Sequence, residues 1–458
     1  MSIPIPDRPT LRFPPIRRGS FLRRSATTLA MAAVGPTIVL RKNVAATAPV
    51  EVPAVVGRAT QTVNFVHWGS LAKLTQLYGM LVRQFEAQHP TIKINMIPMA
   101  AQSWADFAAV MVTRMAGGDI PDIMRVDLEG LQLLARNNVL LPIDSLMHRD
   151  AAYVEAFRAD SLPLFWHALS YQGQQLALPF TFATPNLLYS RRLMPAPGPN
   201  WTADDFLAMA ARLKKKGLYG IGDVIYPGYA LLSLEGWSAA AGASLLSADW
   251  SRSTATAAGN QVAWQFLYDL VHTHKVAPRP SPQFDDSSYF QAGRMGTLFD
   301  IDRSAAKSYA LEGVCSARSC FADVLPLPML GGGPRKALFS CNGFPIAHAS
   351  KHPEAAWAWA MFLSSPQAMG PYTTQGAYLP CRSSLAGSSR IMNPPAHYHL
   401  YLDSLRAGAI TLPAPPSFLE LESAASRWFS KMMAQEVMPK AALAGLDADL
   451  TAILKRPV

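Results

Sequence analysis

Aromatic, charged and amide side chains stand at or near the ends of several predicted strands. A Trp ring stacks on the apolar C–H face of a sugar or on a cation, a carboxylate accepts hydrogen bonds from paired hydroxyls, and an Asn-Gly pair offers a side-chain amide beside a backbone amide. These chemistries predict a binding site for a small polar molecule. The candidate ligand-binding residues are Trp68, Asp127, Phe180, Trp237, Asp300, Arg303, Asn342, Gly343 and Tyr378.

Each candidate also has a structural interpretation that the sequence leaves open. Trp68, Phe180 and Trp237 can pack in a hydrophobic core, and Asp127 can cap the helix predicted to start at Leu128. Asp300 and Arg303, together with Asp302, can form a structural ion pair. The three charges at a strand end favour a cleft position for this segment.

Motifs of common enzyme classes are missing from the sequence. It has no Gly-x-Ser-x-Gly nucleophile turn and no His-Glu-x-x-His helix, and its Gly331-Gly-Gly-Pro-Arg-Lys336 segment lacks the spacing of a phosphate loop. His272 and His274 have no evident third metal ligand. We therefore expect a protein without catalytic residues, metal or cofactor. An exported sugar hydrolase remains the alternative, because a glycosidase needs only two well-placed carboxylates.

The elements that position these residues follow an alternating pattern. Thr62–Trp68, Ile92–Ile97 and Asp122–Val126 are predicted strands, and each is followed by a segment with helical spacing of apolar residues. This order predicts an α/β fold with a parallel sheet covered by helices. A strand is also predicted at Met295–Phe299. We expect Trp68, Asp127 and the Asp300/Arg303 region to follow strands of this same sheet and to converge on one cleft.

Length and charge distribution narrow the class of protein. A chain of 458 residues is long enough for two cores. Residues 1–48 hold +7 of the net charge of +10, so the remainder is nearly neutral and has no basic stripe typical of nucleic-acid binding. We expect no nucleic-acid partner.

The first 48 residues have the layout of an export signal, and residues 49–60 have that of a linker. Arginines precede an apolar stretch at 26–40, and Ala46-Thr47-Ala48 is a cleavage pattern. The pairs Arg17-Arg18 and Arg23-Arg24 are similar to a twin-arginine signal. We expect removal of a segment ending between about 40 and 60, leaving a soluble periplasmic protein.

All four cysteines lie far from this segment, so none is placed for lipidation at a cleavage site. They are Cys315, Cys320, Cys341 and Cys381. In an oxidising compartment Cys315 and Cys320 can close a small loop, but four cysteines allow three pairings and the sequence does not choose among them.

Several segments, taken in order, resemble the bacterial extracellular solute-binding proteins of the family that includes maltose-binding protein. The resemblance covers about residues 62–385. Its segments include Gly118-Asp-Ile-Pro-Asp-Ile123, Tyr171 to Pro179, Leu188 to Leu193, Trp201 to Phe206, Leu325 to Pro328, Ser350 to Trp357, Phe362 to Gln367 and Gly376 to Pro380.

The resemblance implies a two-lobed clamp with a hinge and with parallel or mixed sheets covered by helices. Lobe 1 would comprise 61–185 and 295–345, and lobe 2 would comprise 186–294 and 346–458. It also implies a monomer that passes a solute, most often a carbohydrate, to the membrane permease of an ABC importer. A sensor built on the same clamp is a further alternative.

One segment departs from the family pattern. Where the family has a glycine and then an aromatic residue, this chain has Asp300-Ile301-Asp302-Arg303. Arg303 stands in the place of the stacking aromatic residue. Together with the paired aspartates Asp300 and Asp302, it admits phosphorylated sugars, polyols and cationic solutes as ligands.

Overall fold

The computed structural model describes residues 59–456, except 70, 71, 102, 199, 223, 227, 282, 283, 302, 303, 317, 318, 332, 333 and 377. The predicted export signal and most of the predicted linker therefore lie outside the described residues. So do Asp302 and Arg303. Within the described part of the chain, no helix is both long enough and apolar enough to cross a bilayer.

The first sheet is parallel, as the alternating pattern predicts. Its strands have the order β2-β1-β3. Val63 and Phe65 of the central strand face one hydrophobic cluster and Val66 faces the other, so both faces of the sheet are covered by helices. The elements of this part are β1 (Gln61–Trp68), α1 (Ala72–Gln88), β2 (Ile92–Met99), α2 (Trp104–Ala116) and β3 (Ile123–Met124).

The chain leaves this sheet at Arg125, which divides the strand predicted at Asp122–Val126 into two short ones. The second piece pairs with a distant strand instead of with β1. The following elements are β4 (Val126–Asp127), α3 (Leu128–Arg136), α4 (Asp144–Arg149), α5 (Ala151–Ala159), α6 (Pro163–Ala168), β5 (Ser170–Tyr171), β6 (Gln174–Gln175) and β7 (Pro179–Ala183).

Two residues, Thr184 and Pro185, separate β7 from the first strand of a second sheet. This sheet is mixed and has the order β11-β8-β10-β9. Its elements are β8 (Asn186–Ser190), α7 (Ala203–Lys215), β9 (Tyr219–Gly222), α8 (Ala230–Ala240), α9 (Ala258–Val271), α10 (Asp286–Gln291), β10 (Met295–Asp300), α11 (Ser304–Leu311) and β11 (Ala322–Leu325). The capping box predicted for α7 is present, since Thr202 and Asp205 exchange hydrogen bonds.

The prediction that Met295–Phe299 joins the sheet of Trp68 is wrong. β10 is antiparallel to β8 and parallel to β9, and it forms no part of the β2-β1-β3 sheet. The apolar residues of β10 predict a strand that is buried on both faces. They do not predict which strands lie beside it, because that depends on the path of the chain through β7 and β8.

The last part of the chain returns to both earlier regions. A third sheet has the order β13-β7-β12-β14, and β4 pairs with β12. Helices α12 and α13 pack on α1, whereas α17 and α18 pack on α8 and α9. The elements are β12 (Ala337–Gly343), α12 (Pro353–Leu363), α13 (Pro366–Gly376), β13 (Leu379–Pro380), α14 (Ser383–Ala386), α15 (Ser389–Met392), α16 (His399–Ala407), β14 (Ala409–Thr411), α17 (Phe418–Met433) and α18 (Pro439–Leu454).

The structure contains the small loop that Cys315 and Cys320 were expected to be able to close, but none of the three complete pairings of the four cysteines. Cys315 and Cys320 form a disulfide between α11 and β11, and Cys341 and Cys381 are buried free thiols. Burial raises the pKa of both thiols well above the ordinary value, so they are protonated and inert at neutral pH.

Candidate functional site

The ends of the three sheets surround a cavity of about 290 Å³, which we call the main cavity. This volume is close to the lower end of the range of small-molecule sites. Its lining comes from the end of β1, from β4, β7 and β12, from the first turns of α1, α2, α3 and α8, and from the residue after β10. The lining residues are Trp68, Leu74, Trp104, Arg125, Asp127, Glu129, Thr181, Phe182, Ala183, Tyr226, Tyr229, Leu232, Ile301, Ser340, Asn342 and Tyr378.

Arg125 is the only arginine or lysine among the lining residues, and it is 1% exposed. Its Nη1 donates a hydrogen bond to the hydroxyl of Tyr372 at 2.6 Å, whereas its buried Nε has no partner among the described residues. The guanidinium carbon lies 5.1–5.9 Å from the centres of four aromatic rings, those of Trp104, Phe180, Tyr372 and Tyr378. This cage holds a permanent positive charge in the wall of the cavity.

Asp127 is both a helix cap and a cavity residue. Its Oδ1 accepts a hydrogen bond from the backbone N–H of Leu128 at 2.7 Å and another from the hydroxyl of Ser340. Its Oδ2 accepts one from Asn342 at 3.3 Å. Burial raises the pKa of Asp127 to about 6, although the hydrogen bonds from Ser340 and Asn342 and the charge of Arg125 lower it. At neutral pH the side chain is therefore mainly a carboxylate that already has protein partners.

Asn342 joins this carboxylate to β7. Its Nδ2 lies 2.9 Å from the Thr181 hydroxyl, and the Thr181 hydroxyl donates to its Oδ1 at 3.1 Å. These side chains come from β12 and β7, which are hydrogen-bonded neighbours. The network fixes a row of hydrogen-bonding groups along one side of the cavity, as a site for a hydroxylated ligand requires.

Glu129 stands one position into helix α3 and is 2% exposed. Its buried Oε2 has no hydrogen-bond partner among the described residues. Burial raises its pKa well above the ordinary value, and the neighbouring carboxyls of Asp127 and Glu422 raise it further. The raised pKa favours the neutral form of this carboxyl, which also has an unused hydrogen-bonding atom.

Aromatic rings form much of the remaining wall. Trp68 meets Trp104 edge-to-face with ring centres 4.6 Å apart, and Tyr378 stacks on Tyr372 at 5.5 Å. Across the cavity, Tyr229 immediately precedes α8 and lies in edge contact with Tyr226. Burial raises the pKa of Tyr229, and the nearby acids Glu129 and Asp127 raise it further, so its hydroxyl stays protonated.

The structure brings four of the nine predicted site residues together in this cavity. They are Trp68, Asp127, Asn342 and Tyr378. The other predicted residue near Asn342 is Gly343, and it serves close backbone packing, since an added Cβ would lie 2.4 Å from the carbonyl oxygen of Leu178.

Two predicted aromatic residues lie in hydrophobic clusters and do not line the cavity. Phe180 is fully buried and packs on Phe344 and Tyr372. Trp237 is also fully buried, and its Nε1 donates a hydrogen bond to the carbonyl oxygen of Val224 at 2.7 Å. An aromatic residue near a strand end or in a helix looks the same in the sequence whether it faces a core or a cleft. The sequence therefore could not distinguish the core residues Phe180 and Trp237 from the cavity residues.

Asp300 lines a second cavity instead of the main one. That cavity has a volume of about 480 Å³ and includes Tyr309, Glu312 and Tyr226, and Tyr226 lines both cavities. The next residue, Ile301, does reach the main cavity. Arg303 lies outside the described residues, so its predicted role stays a prediction.

Sequence reasoning missed Arg125, Glu129 and Tyr229. Arg125 was not predicted as a site residue because it lies inside a predicted strand. Glu129 was not predicted because acidic residues are common in the first turn of a helix. One signal was available in the sequence. Arg125, Asp127 and Glu129 are charged residues at every second position across the junction between a strand and a helix. Tyr229 could be located only by the folding of α8 toward α3.

Comparisons with known proteins agree with this architecture. The family model described as bacterial extracellular solute-binding protein matches residues 68–370. An uncharacterized lipoprotein from the oleD 5′ region of Streptomyces antibioticus is 24% identical over 349 residues, which cover 73% of this chain and 73% of the relative.

Solved structures with the same fold were also found. An ABC substrate-binding protein of Listeria monocytogenes in complex with cycloalternan has a TM-score of 0.72 and 21% identity, covering 86% of this chain and 98% of that one. Maltose-bound MalE3 of T. maritima has a TM-score of 0.70 and 20% identity, covering 85% and 98%.

Proposed function

The chain belongs to the bacterial extracellular solute-binding protein family, and we propose that it captures a small carbohydrate and delivers it to the permease of an ABC importer. The observation that carries the proposal is the composition of the main cavity. It combines the aromatic rings of Trp68, Tyr229 and Tyr378 with the fixed hydrogen-bonding row of Asp127 and Asn342. Such a combination suits a sugar, which has apolar C–H faces and hydroxyls at its edges.

The ligands of related structures support the same class. The Listeria monocytogenes protein was solved with cycloalternan and the T. maritima protein with maltose. We therefore propose a sugar of small size, in keeping with the cavity volume of about 290 Å³.

A thermal-shift screen of a sugar library on the full chain tests this proposal. A ligand at 100 times its dissociation constant stabilises the folded state by about 2.7 kcal/mol, so a true ligand gives a clear rise in melting temperature. Stabilisation by amino acids or peptides, with no response to any sugar, would refute the carbohydrate assignment.

We propose that the two lobes follow the sheets. On this division 61–185 belongs to lobe 1 as predicted, but β10 and β11 belong to lobe 2 because they pair with β8 and β9. Binding would close the lobes on the ligand. X-ray scattering should then give a smaller radius of gyration with the ligand than without it.

The chain binds its ligand without chemical turnover in this proposal. Asp127 and Glu129 are two carboxyls in one cavity, which is the minimum equipment of a glycosidase. A ligand recovered unchanged after long incubation with the protein would support pure binding, and release of a hydrolysed product would favour the enzyme.

We also propose that the protein acts in the periplasm as a monomer after loss of its first 40 to 60 residues, with a twin-arginine signal as the export route and no nucleic-acid partner. The relative from Streptomyces antibioticus is named as a lipoprotein, but the four cysteines of this chain all lie at or beyond position 315. Mass spectrometry of protein from its native envelope tests this proposal, and a product retaining Met1 would contradict it.

A further inference from the structure

The carboxyl of Glu129 is a buried group that the fold leaves unsatisfied. It lines the main cavity and is 2% exposed, and its Oε2 has no hydrogen-bond partner among the described residues. Leaving a buried polar atom without a partner costs about 1–3 kcal/mol, and more for a charged group. Because Glu129 lines the cavity, a ligand group with an N–H or O–H would satisfy this atom.

The charged groups around Glu129 define what that partner must be. Burial and the carboxyls of Asp127, at the start of its own helix, and Glu422, on α17, all raise the pKa of Glu129. Arg125 acts on Asp127 and lowers its pKa. The main cavity therefore has a positive end at Arg125 and an acidic end at Glu129.

The neighbouring carboxyls already have partners and are not free to serve the ligand in the same way. Asp127 accepts hydrogen bonds from Leu128, Ser340 and Asn342. Glu422 accepts hydrogen bonds from the backbone N–H groups of Ala230 and Leu231 at 2.7 and 2.8 Å. Glu129 is thus the acidic group at this end whose unpaired oxygen is left for a ligand.

The walls at this end suit a cation. The rings of Tyr226 and Tyr229 line the same cavity as Glu129, and aromatic faces attract ammonium groups, most strongly where water is excluded. The first turn of α3 also favours a negative charge at Glu129 once a ligand cation compensates the nearby acids.

We propose that Glu129 is a specificity-determining residue that binds a protonated amine of the ligand, so that the protein captures an amine-bearing sugar. This inference rests on the proposed carbohydrate function for the sugar part of the ligand. On binding, the ammonium replaces the proton of Glu129, and that proton passes to solvent. The Glu129 carboxylate then acts only as an acceptor, and the N–H groups of the ligand donate hydrogen bonds to it.

The test compares matched sugars on the full chain by isothermal titration calorimetry. The sets are D-glucosamine, D-glucose and N-acetyl-D-glucosamine, and the three corresponding galactose derivatives. In a set that binds, the amine should bind about tenfold more tightly than both neutral members, the range expected for a hydrogen bond to a charged group. Equal or tighter binding of a neutral member in every set that binds would overturn the inference and leave the carbohydrate function standing.

Proton release gives a readout that a merely structural role for Glu129 would not produce. The binding enthalpy of the amine should vary with the ionisation enthalpy of the buffer, and its affinity should increase as pH rises from 5 to 7. Glu129→Gln should abolish the release and reduce the amine preference to less than about threefold. Glu155→Gln, which alters an exposed carboxylate on α5, is the matched control and should change neither.

If none of these sugars and no member of the wider sugar library binds, the carbohydrate function fails and the inference is tested with non-sugar amines. Choline, putrescine and spermidine are the probes. Binding of one of them that is lost in Glu129→Gln would support an amine site without a sugar, and the absence of any binding would overturn the amine site as well.

Discussion

Helices α3 and α8 both border the main cavity, and each carries a buried glutamate in different surroundings. Glu235 of α8 accepts hydrogen bonds from the backbone N–H of Leu245 at 3.0 and 3.2 Å, and it does not line the cavity. Glu129 of α3 lines the cavity and has an unpartnered Oε2 among the described residues. Burial raises the pKa of both.

Glu235 therefore stabilises the fold, whereas Glu129 is available to a ligand. All eleven residues of α8 are buried. Ser233, Glu235 and Trp237 hydrogen-bond to the protein itself, whereas the Ser238 hydroxyl has no partner among the described residues. Helix α3 instead begins with two acidic side chains directed at the cavity. Burial alone therefore does not assign a role to a glutamate or a tryptophan, and the direction in which the side chain points decides it.

The largest effect should come from Trp237→Ala on the α8 side. Trp237 is fully buried and stacks on Phe299 with ring centres 5.7 Å apart. Removing it should lower the free energy of unfolding by about 3–5 kcal/mol, measured by urea denaturation. The control Val262→Ala, at a position that is 42% exposed, should have little effect. A stable variant with weakened ligand binding would show that Trp237 belongs to the site after all.

The next largest effect should come from Trp68→Ala on the α3 side. This substitution should lower the affinity for the ligand and have little effect on the free energy of unfolding. Loss of an aromatic ring from the cavity wall should weaken ligand binding by about 1–4 kcal/mol, measured by calorimetry. Trp250→Ala removes a half-buried tryptophan that does not line the main cavity and should leave affinity unchanged. Equal affinities for both variants would contradict the stacking role of Trp68.

A smaller effect is expected from Gly130→Ala, which tests how α3 is held in place. An added Cβ at Gly130 would lie 2.7 Å from both the Ala108 Cβ and the Trp104 carbonyl oxygen of α2. The clash should cost about 1–3 kcal/mol of stability and weaken ligand binding, because α3 must move. Gly370→Ala in α13 meets only atoms at 3.9–4.0 Å and should be neutral or stabilising. A fully stable Gly130→Ala with unchanged affinity would show that the helices can adjust freely.

The smallest effect should be a change in the pH dependence of stability in Glu235→Gln. Burial raises the pKa of Glu235 to about 7, although the hydrogen bonds from Leu245 lower it. At this site the folded state therefore binds more protons than the unfolded state between pH 4.5 and 7, so the contribution of Glu235 to the stability of the wild type falls as pH rises through this window. The melting temperature of Glu235→Gln relative to wild type should increase by a few degrees from pH 5 to pH 8. A difference that stays constant with pH would contradict the raised pKa.

Local features of the structure could be predicted from the sequence to a useful extent. The alternating first three strands, the capping box at Thr202 and the position of Trp68 at the end of β1 all depend on residues close together in the chain. Asp127 was predicted as a ligand or as a helix cap, and the structure shows the cap at a position that also lines the cavity.

Features that depend on the path of the chain could not be predicted in this way. β10 was assigned to the wrong sheet because its partner residues in the neighbouring strands are 76 and more residues away in the chain. The cage around Arg125 brings together rings from α2, β7, α13 and the connection before β13. The unpartnered oxygen of Glu129 becomes evident only when every neighbour among the described residues is placed. These contacts are set by tertiary packing, which leaves no local pattern.

The two-residue step between β7 and β8 sets a mechanical limit on the protein. Ala183 ends a strand of the third sheet, and Asn186 begins a strand of the second. These residues are three Cα steps apart, so they cannot be separated by more than about 11 Å. If the lobes close as proposed, the sheets turn around this strap without drawing apart there, and the gap at any point equals the turning angle multiplied by its distance from the strap. Close to the strap, the size of a molecule that can enter is then limited by backbone length as well as by the side chains that line the cavity.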